Sequence, residues 1–285
     1  MSNAKDILVV GASGTVASNV ISALASTGQS VRAGTRNPAK QASQEGVTWV
    51  ELDIDRPSTV QAAFAGARRA FLLSPPGYAN QYPILSQMIA EAKKNELEKV
   101  VMMTAMGVDA DPSIPFRRAE LELEGSGLRY NIVRPTWFMQ NFNTFWRHGI
   151  VAAHTIALPA ADGKVGFVDA RDISQTVAGL LLDDTHDNQA FDLTGPEAIT
   201  HAQAAEILAA ATGLPIRYEN VSPESFKQTL LQVGLPADYA DLLVQLFAGV
   251  RAGWANRTTP SVERVTGKPP RSLQTYAHDY KQSWL

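Results

Sequence analysis

The chain of 285 residues contains no cysteine, which excludes disulfides, thiol catalysis and thiolate metal sites. No apolar run approaches the roughly 18 residues of a membrane-spanning helix. The N-terminus shows no charged segment followed by an apolar signal core. Lys and Arg number 25 against 28 Asp and Glu, a net charge of −3, so no cationic surface marks a partner in nucleic acid or anionic lipid. The five histidines, at 148, 154, 186, 201 and 278, are scattered without metal-ligand spacing. Each reads as a surface or polar core residue, and no metal site is expected. A G-x-S-x-G elbow is missing, which argues against a serine hydrolase. What remains is an ordinary soluble composition, 45% apolar and 19% charged. The expectation is a cytoplasmic monomer or homodimer, with one large domain or a domain plus a cap.

Against these absences stands the stretch from Lys5 to Leu24, KDILVVGASGTVASNVISAL. Ile7–Val10 is short, apolar and β-branched, and reads as a buried strand. Gly11, Gly14 and Ala17 follow it at G-x-x-G-x-x-A spacing, then Val16, Val20, Ile21 and Leu24 recur at helical intervals. A strand, a glycine turn and a helix bind a dinucleotide pyrophosphate, because bare N–H groups and the positive helix end face the anion. Gly11 allows the turn, Gly14 the close approach, and Ala17 the packing of helix on strand.

Strand and helix then alternate. Strands are expected at 30–35, 47–52, 69–73, 99–104 and 129–133, with helices at 57–64, 82–97 and 118–124 and a further helix start at Asn37-Pro38. This pattern predicts an α/β, Rossmann-like, doubly wound parallel sheet over residues 1–150. Ligands of such sheets lie outside the carboxyl ends of the strands. Arg36 ends the second strand with Lys40 one turn on; a cation there suits the 2′-phosphate of NADP, the alternative being a solvated surface charge. Asp53 ends the third strand and either caps the next turn or accepts from an adenine amino group. Past the sixth strand, Trp137, Phe138, Asn141 and Phe142 follow Arg134. As a helix, this stretch pairs Phe138 with Phe142 and Trp137 with Asn141. It is either a core helix or the wall of a substrate pocket.

Beyond residue 150 the alternation weakens. A turn at 162–164 precedes a short strand near 165–168, a helix at 172–182 and a strand at 191–194. Helices at 201–211, 225–233, 237–250 and 272–284 follow. Residues 151–285 are expected to form a smaller, mainly helical substrate-binding cap, with some segments returning to the Rossmann core.

One further absence bears on chemistry. Ketone-reducing short-chain dehydrogenases use Tyr-x-x-x-Lys on a helix, the lysine lowering the tyrosine pKa so that it can protonate the new alkoxide. None of the seven tyrosines (78, 82, 130, 218, 239, 276, 280) has lysine four residues on.

GASGTVA at 11–17, TRNPAK at 35–40, ELDIDRP at 51–57, the E-x-x-L-x-x-S-G run at 120–127, RPTWFMQN at 134–141, ADGKVGFVDARDIS at 161–174 and VGLPADYADLL at 233–243 together resemble the NmrA-like branch of atypical short-chain dehydrogenases. Within it the chain looks similar to NADPH-dependent quinone oxidoreductases and triphenylmethane reductases. It also looks similar to festuclavine and agroclavine (ergot-alkaloid) dehydrogenases, which RPTWFMQN, GPEAIT at 195–200 and the C-terminal VTGKPPRSL and SWL resemble most. The resemblance implies pyrophosphate contacts from Gly11, Ser13, Gly14, Thr15 and Val16, and 2′-phosphate contacts from Arg36 and Lys40. It implies adenine contacts from Asp53 and Ile54, ribose contacts from Leu73, Ser74 and Pro75, and nicotinamide contacts from Thr104, Pro135, Thr136, Trp137 and Phe138. Tyr78, Trp137, Phe138, Asn141 and Phe142 are the candidate acceptor contacts, and no catalytic residue is assigned. The implied activity is NADPH-dependent hydride transfer to an activated small acceptor such as an iminium or quinone. The alternative is a non-catalytic NADP(H)-sensing regulator of the NmrA type; a carbonyl reductase using Tyr78 as proton donor ranks below both.

Overall fold

A computed structural model describes residues 6–285; Lys5 lies outside the described residues. The chain forms two compact units. One holds the described residues up to Pro76, together with Asn80–Arg134 and Ile173–Asp192; the other holds Gly77–Ala79, Pro135–Asp172 and Leu193–Leu285. The change in pattern near residue 150 falls within a helix of the second unit.

The first unit runs β1 (Asp6–Val10), α1 (Thr15–Ser26), β2 (Val31–Thr35), β3 (Val47–Glu51), α2 (Pro57–Phe64), β4 (Ala67–Leu72), α3 (Tyr82–Lys94), β5 (Lys99–Met103), α4 (Pro115–Glu124) and β6 (Arg129–Pro135). The chain next makes α5 (Arg147–Ala153), β7 (Thr155–Leu158) and β8 (Lys164–Val165), then returns with α6 (Ala170–Leu182) and β9 (Gln189–Leu193). It ends with β10 (Ile199–Thr200), α7 (His201–Thr212), β11 (Arg217–Asn220), α8 (Pro223–Gln232), α9 (Ala237–Arg251), α10 (Ser261–Thr266) and α11 (Leu273–Tyr280).

The central sheet has the order β3-β2-β1-β4-β5-β6-β9, and its five pairings from β3 to β6 are all parallel. This is the Rossmann-like order, with the direction of winding reversing beside β1. Continuous apolar strands suit a sheet buried on both faces: Ile7, Leu8, Val9 and Val10 are all buried, as are Val16, Ala17, Val20, Ile21 and Leu24 on one side of α1. Leu8 and Val10 join Phe64, Leu72, Leu85, Met88, Val100 and Leu123 in one apolar cluster of this unit.

The second unit has its own core, rich in aromatic rings, from Phe142, Phe167, Phe226, Phe247, Tyr276 and Trp284. Five elements there escaped the sequence reading: α5, α10 and the strands β7, β10 and β11, of which β7 and β11 pair with each other in parallel. The short strand near 165–168 is confined to Lys164–Val165 and pairs antiparallel with β10.

Two local expectations are corrected. Asn37-Pro38 starts only a three-residue 3-10 turn, Pro38–Lys40. The helix over Trp137–Phe142 is not formed. Trp137 and Met139 instead exchange backbone bonds with Val168, Val168 N donating to Trp137 O at 3.0 Å and Met139 N to Val168 O at 2.9 Å. Only Met139–Asn143 coils, as a 3-10 turn, so the two shared helical faces do not exist.

Candidate functional site

The turn after β1 is built to leave donors free. Gly11 has φ +66°, a conformation that glycine adopts without strain. Gly14 N donates to Gly11 O at 2.8 Å, and Ala12 N to Gly34 O at 2.9 Å, which fixes the loop. Gly14 is the N-cap of α1, no side chain caps the helix, and its first turn holds no acidic residue. The orphan N–H groups of this twelve-residue helix therefore face outward beside exposed Ser13, Gly14 and Thr15. A Cβ on Gly11 would stand 3.1 Å from Leu73 Cδ1, and one on Gly14 would stand 3.1 Å from Gly11 O. Val16 is buried, and its carbonyl accepts from Ser174 Oγ of α6 at 2.9 Å. The bare helix end and the missing Cβ atoms fit a dinucleotide pyrophosphate.

Arg36 follows β2 directly and is exposed; Lys40 closes the next turn, also exposed. Among the described residues no ion pair engages either. Asp53 holds its own turn, its carboxylate accepting from Asp55 N at 3.2 Å and Arg56 Nε at 3.0 Å. The Arg56 hydrogen bond, then the Asp55 N–H, hold its carboxyl below the usual aspartate value, with the charge of Arg36 adding to them. Of the two readings of Asp53, the capped turn is thus a structural fact, and the adenine contact remains compatible with it. Ile54 packs partly buried against the core of the first unit. Leu73, Ser74 and Pro75 follow β4, half-buried, and Ser74 Oγ donates to Pro75 O at 3.3 Å.

At the ends of β5 and β6 lies a cluster that sequence reasoning missed. Thr104 Oγ1 donates to Glu120 Oε1 at 2.6 Å. Glu120, on α4, is fully buried. It also accepts from Arg134 Nε at 2.9 Å, from Arg134 Nη2 at 2.7 Å and from Arg117 Nη1 at 2.8 Å. Arg134 Nη1 reaches Asp109 at 2.9 Å. Burial pulls the Arg134 guanidinium down, but the Glu120 hydrogen bonds and charge, with Asp109, outweigh it and hold the group above its ordinary value. With both Glu120 oxygens filled by donors, the single proton of the Thr104 hydroxyl stays on that bond, and Thr104 presents only acceptor lone pairs elsewhere. The hint in the sequence was the E-x-x-L run together with Arg-Pro at 134–135.

The second unit carries the other candidates. Pro135 and Thr136 are buried, Trp137, Phe138 and Asn141 half-buried, and Phe142 has no exposed surface. Tyr78, 39% exposed, sits in the short segment Gly77–Ala79 of this unit. Trp137 stacks at 4.6 Å on Phe247 and lies 6.0 Å from Trp146. Phe142 packs within the core, 4.9 Å from Trp146 and 5.3 Å from Phe167. Next to these rings is His201, also unassigned by the sequence reading. It is fully buried and neither ring nitrogen has a hydrogen-bond partner among the described residues. Burial pushes its pKa down to about 4.

Comparison with known proteins sets these features in context. The model of the NmrA-like family matches residues 3–251. The uncharacterized oxidoreductase YesF of Bacillus subtilis is 33% identical over 281 residues, 98% of this chain and 96% of that protein. The NAD(P)H azoreductase of Xenophilus azovorans is 31% identical over 277 residues, 95% of this chain and 96% of that enzyme. The crystal structure of an NADPH-dependent quinone oxidoreductase from Escherichia coli, in complex with NADPH, superposes with a TM-score of 0.84 at 25% identity, covering 96% of this chain and 99% of that one.

Proposed function

The chain belongs to the NmrA-like family, and from that premise we propose that it is an NADPH-dependent reductase of activated, largely apolar acceptors such as quinones, azo compounds or iminium ions. The observation that carries the cofactor is the uncapped N-terminus of α1 behind a Cβ-free turn, with Arg36 exposed and unpaired among the described residues at the end of β2. Gly11, Ser13, Gly14, Thr15 and Val16 would hold the pyrophosphate, Arg36 and Lys40 the 2′-phosphate. Asp53 and Ile54 would border the adenine, Leu73 to Pro75 the ribose, and Thr104 with Pro135 to Phe138 the nicotinamide. The relatives named as an azoreductase and a quinone oxidoreductase support both the cofactor and this class of acceptor.

Bound NADPH would supply the hydride. What the chain supplies is placement and a dry aromatic surface. Hydride addition to a ketone leaves an alkoxide that needs a proton donor, and the chain has no Tyr-x-x-x-Lys pair to serve it. Addition to an iminium yields a neutral amine, and addition to a quinone yields a far less basic, phenolate-like anion. Catalysis then rests on proximity, with reacting atoms held about 3–3.5 Å apart. Thr104, fixed as an acceptor by Glu120, would orient the donor side of a carboxamide, and Trp137 and Phe138 would offer flat apolar contact to the acceptor.

Fluorescence titration with NADPH and NADH, on the natural protein and Arg36→Ala, tests the cofactor. Tight NADPH binding that falls to the NADH level in the variant supports the reading; binding of neither overturns it. A panel of a quinone, an azo dye, a triphenylmethane dye, an imine and a simple ketone then tests the acceptor. Turnover of ketones alone would overturn the activated-acceptor reading, and NADPH binding with no turnover of any acceptor would favour a cofactor-sensing protein.

A further inference from the structure

Residues 135–141 of the RPTWFMQN block and the SWL run at 283–285 meet within the second unit. Trp284 is buried, and its indole Nε1–H donates to Phe142 O at 2.8 Å. One residue earlier, Ser283 O accepts from Arg147 Nε at 2.8 Å. The partners are 142 and 136 residues apart in the chain. Tyr276 of α11, fully buried, lies 6.0 Å from the Trp284 ring and stacks on Tyr280 at 4.7 Å. Asp279 of the same helix accepts from Arg171 Nη1 at 2.8 Å, and Arg171 also pairs with Asp169. Asp169 in turn accepts from Gln140 Nε2 at 2.9 Å, and Gln140 Oε1 accepts from Ala170 N at 2.8 Å.

The carbonyls of the 138–142 stretch are filled in two ways. Phe138 O accepts from Asn141 N at 3.1 Å, Gln140 O from Thr144 Oγ1 at 2.7 Å and Asn141 O from Trp146 N at 2.9 Å. These donors are local. The donor to Phe142 O is Trp284, from a distant segment. A buried tryptophan N–H needs an acceptor, and this one takes the carbonyl of the residue next to Asn141. The Asn141 amide is half-buried and its side chain makes no hydrogen bond among the described residues. The Trp146 ring, 4.9 Å from Phe142, is also 6.0 Å from Trp137. A shift of the Phe142 backbone is therefore felt at Asn141 through the chain and at Trp137 through a ring.

We propose that Trp284 is a positioning residue for acceptor recognition: its N–H bond to Phe142 O fixes the turn that carries Asn141 and supports Trp137. This rests on the reductase reading above, in which Trp137, Phe138 and Asn141 touch the acceptor. Flat apolar contact from the two rings, with an amide N–H from Asn141, suits a planar acceptor bearing a carbonyl oxygen, as a quinone does. Misplacing such contacts by about 1 Å costs up to about a hundredfold in rate. The turn is held by Asp169 through Gln140 and by Trp284 through Phe142, so its shape is set before an acceptor arrives. Trp284 touches no acceptor itself and acts only through the turn.

The test is Trp284→Phe in the 285-residue chain, which keeps a ring in the core and removes the N–H. Kinetics with NADPH and menadione, or the best acceptor of the panel if menadione is not turned over, should show the acceptor KM raised about fivefold or more, with kcat and NADPH affinity little changed. A merely structural tryptophan would lower Tm and leave that KM where it was, and this result overturns the proposal. Hydrogen exchange gives a readout that needs no turnover. Amides of residues 138–147 should exchange about threefold faster or more in the variant, while those of residues 6–26 keep their rates. Should Trp284→Phe fail to fold, Arg147→Ala decides by the same criteria, because it cuts the bond to Ser283 O from an exposed side chain. Failure of the two readings is distinguishable. No turnover of any acceptor, with faster exchange at 138–147, sinks the reductase reading while the hold of Trp284 on the turn stands. Turnover with an unmoved acceptor KM sinks the positioning role alone.

Discussion

Arg134 and Glu120 form a two-point ion pair, with Nε to Oε1 at 2.9 Å and Nη2 to Oε2 at 2.7 Å. It ties the end of β6 to α4, while the same carboxylate holds the hydroxyl of Thr104 beyond β5. The ends of β5 and β6, which carry the candidate nicotinamide contacts Thr104 and Pro135, are thus tied to α4 through one fully buried acidic group.

Glu120→Gln tests that arrangement. The amide retains the shape, but its nitrogen cannot accept, so two of the four donors lose their acceptor and two arginines lose their counter-charge. Breaking a buried pair costs about 3–5 kcal/mol, which for a chain of this size is a fall in Tm of roughly 10 °C. Differential scanning calorimetry reads it. An unchanged Tm would mean that the pair is solvated and holds nothing.

Gly14→Ala separates cofactor binding from folding. Gly14 has φ −83°, so alanine meets no backbone strain there, and an alanine N-cap costs about 1 kcal/mol or less relative to glycine. The new methyl stands 3.1 Å from Gly11 O at the open helix end, where the proposed phosphate would approach. NADPH affinity, read by fluorescence titration, should fall by roughly tenfold or more, about 1.4 kcal/mol, while the melting curve shifts by only a few degrees. Equal affinity in the variant would remove the pyrophosphate from this turn.

Trp137→Ala addresses the acceptor side. The ring that stacks on Phe247 at 4.6 Å is lost, and with it part of the proposed apolar contact. KM for a quinone should rise several-fold or kcat fall, with NADPH affinity unchanged. Stability should drop by up to about 3 kcal/mol, the lower end for a large aromatic, because the ring is only half-buried. An unaltered KM and kcat would take Trp137 out of the acceptor site.

The parts of this molecule that were legible in the sequence are those whose signal is local. Ile7–Val10, the glycine turn and the Val16 to Leu24 spacing lie within one short segment, and each residue there does what its neighbours predict. Pro57 and Phe64 bound α2 as read. The Glu120 cluster was not legible, because it joins residues from three elements whose meeting depends on the order of strands in the sheet. Trp137 to Phe142 misled for the same reason: helical spacing competed with pairing to Val168, a partner thirty residues away, and the strand pairing won. β7 and β11 pair only with each other and carry little alternation. His201 looked like any single histidine, since nothing local reveals that both nitrogens are orphaned among rings.

The protonation of His201 gives the last prediction. Burial among Trp146, Phe167, Tyr218 and Phe247 holds its folded-state pKa at about 4, whereas in the unfolded chain it is near 6.5. Of its ring neighbours only Tyr218 titrates, and burial keeps that phenol above its ordinary value and therefore neutral here. Above pH 6.5 the histidine is neutral in both states and stability is unaffected. As pH falls below 6.5 the unfolded chain takes up a proton that the folded chain refuses, so stability declines until the folded state is also protonated near pH 4. The integrated loss is on the order of 3 kcal/mol. Urea unfolding at several pH values between 7 and 4 should therefore show a falling midpoint, and His201→Phe should flatten the part of that fall that the imidazole causes. A variant with the same pH profile as the natural protein would mean that His201 gains a partner on protonation and is not sealed in the aromatic core.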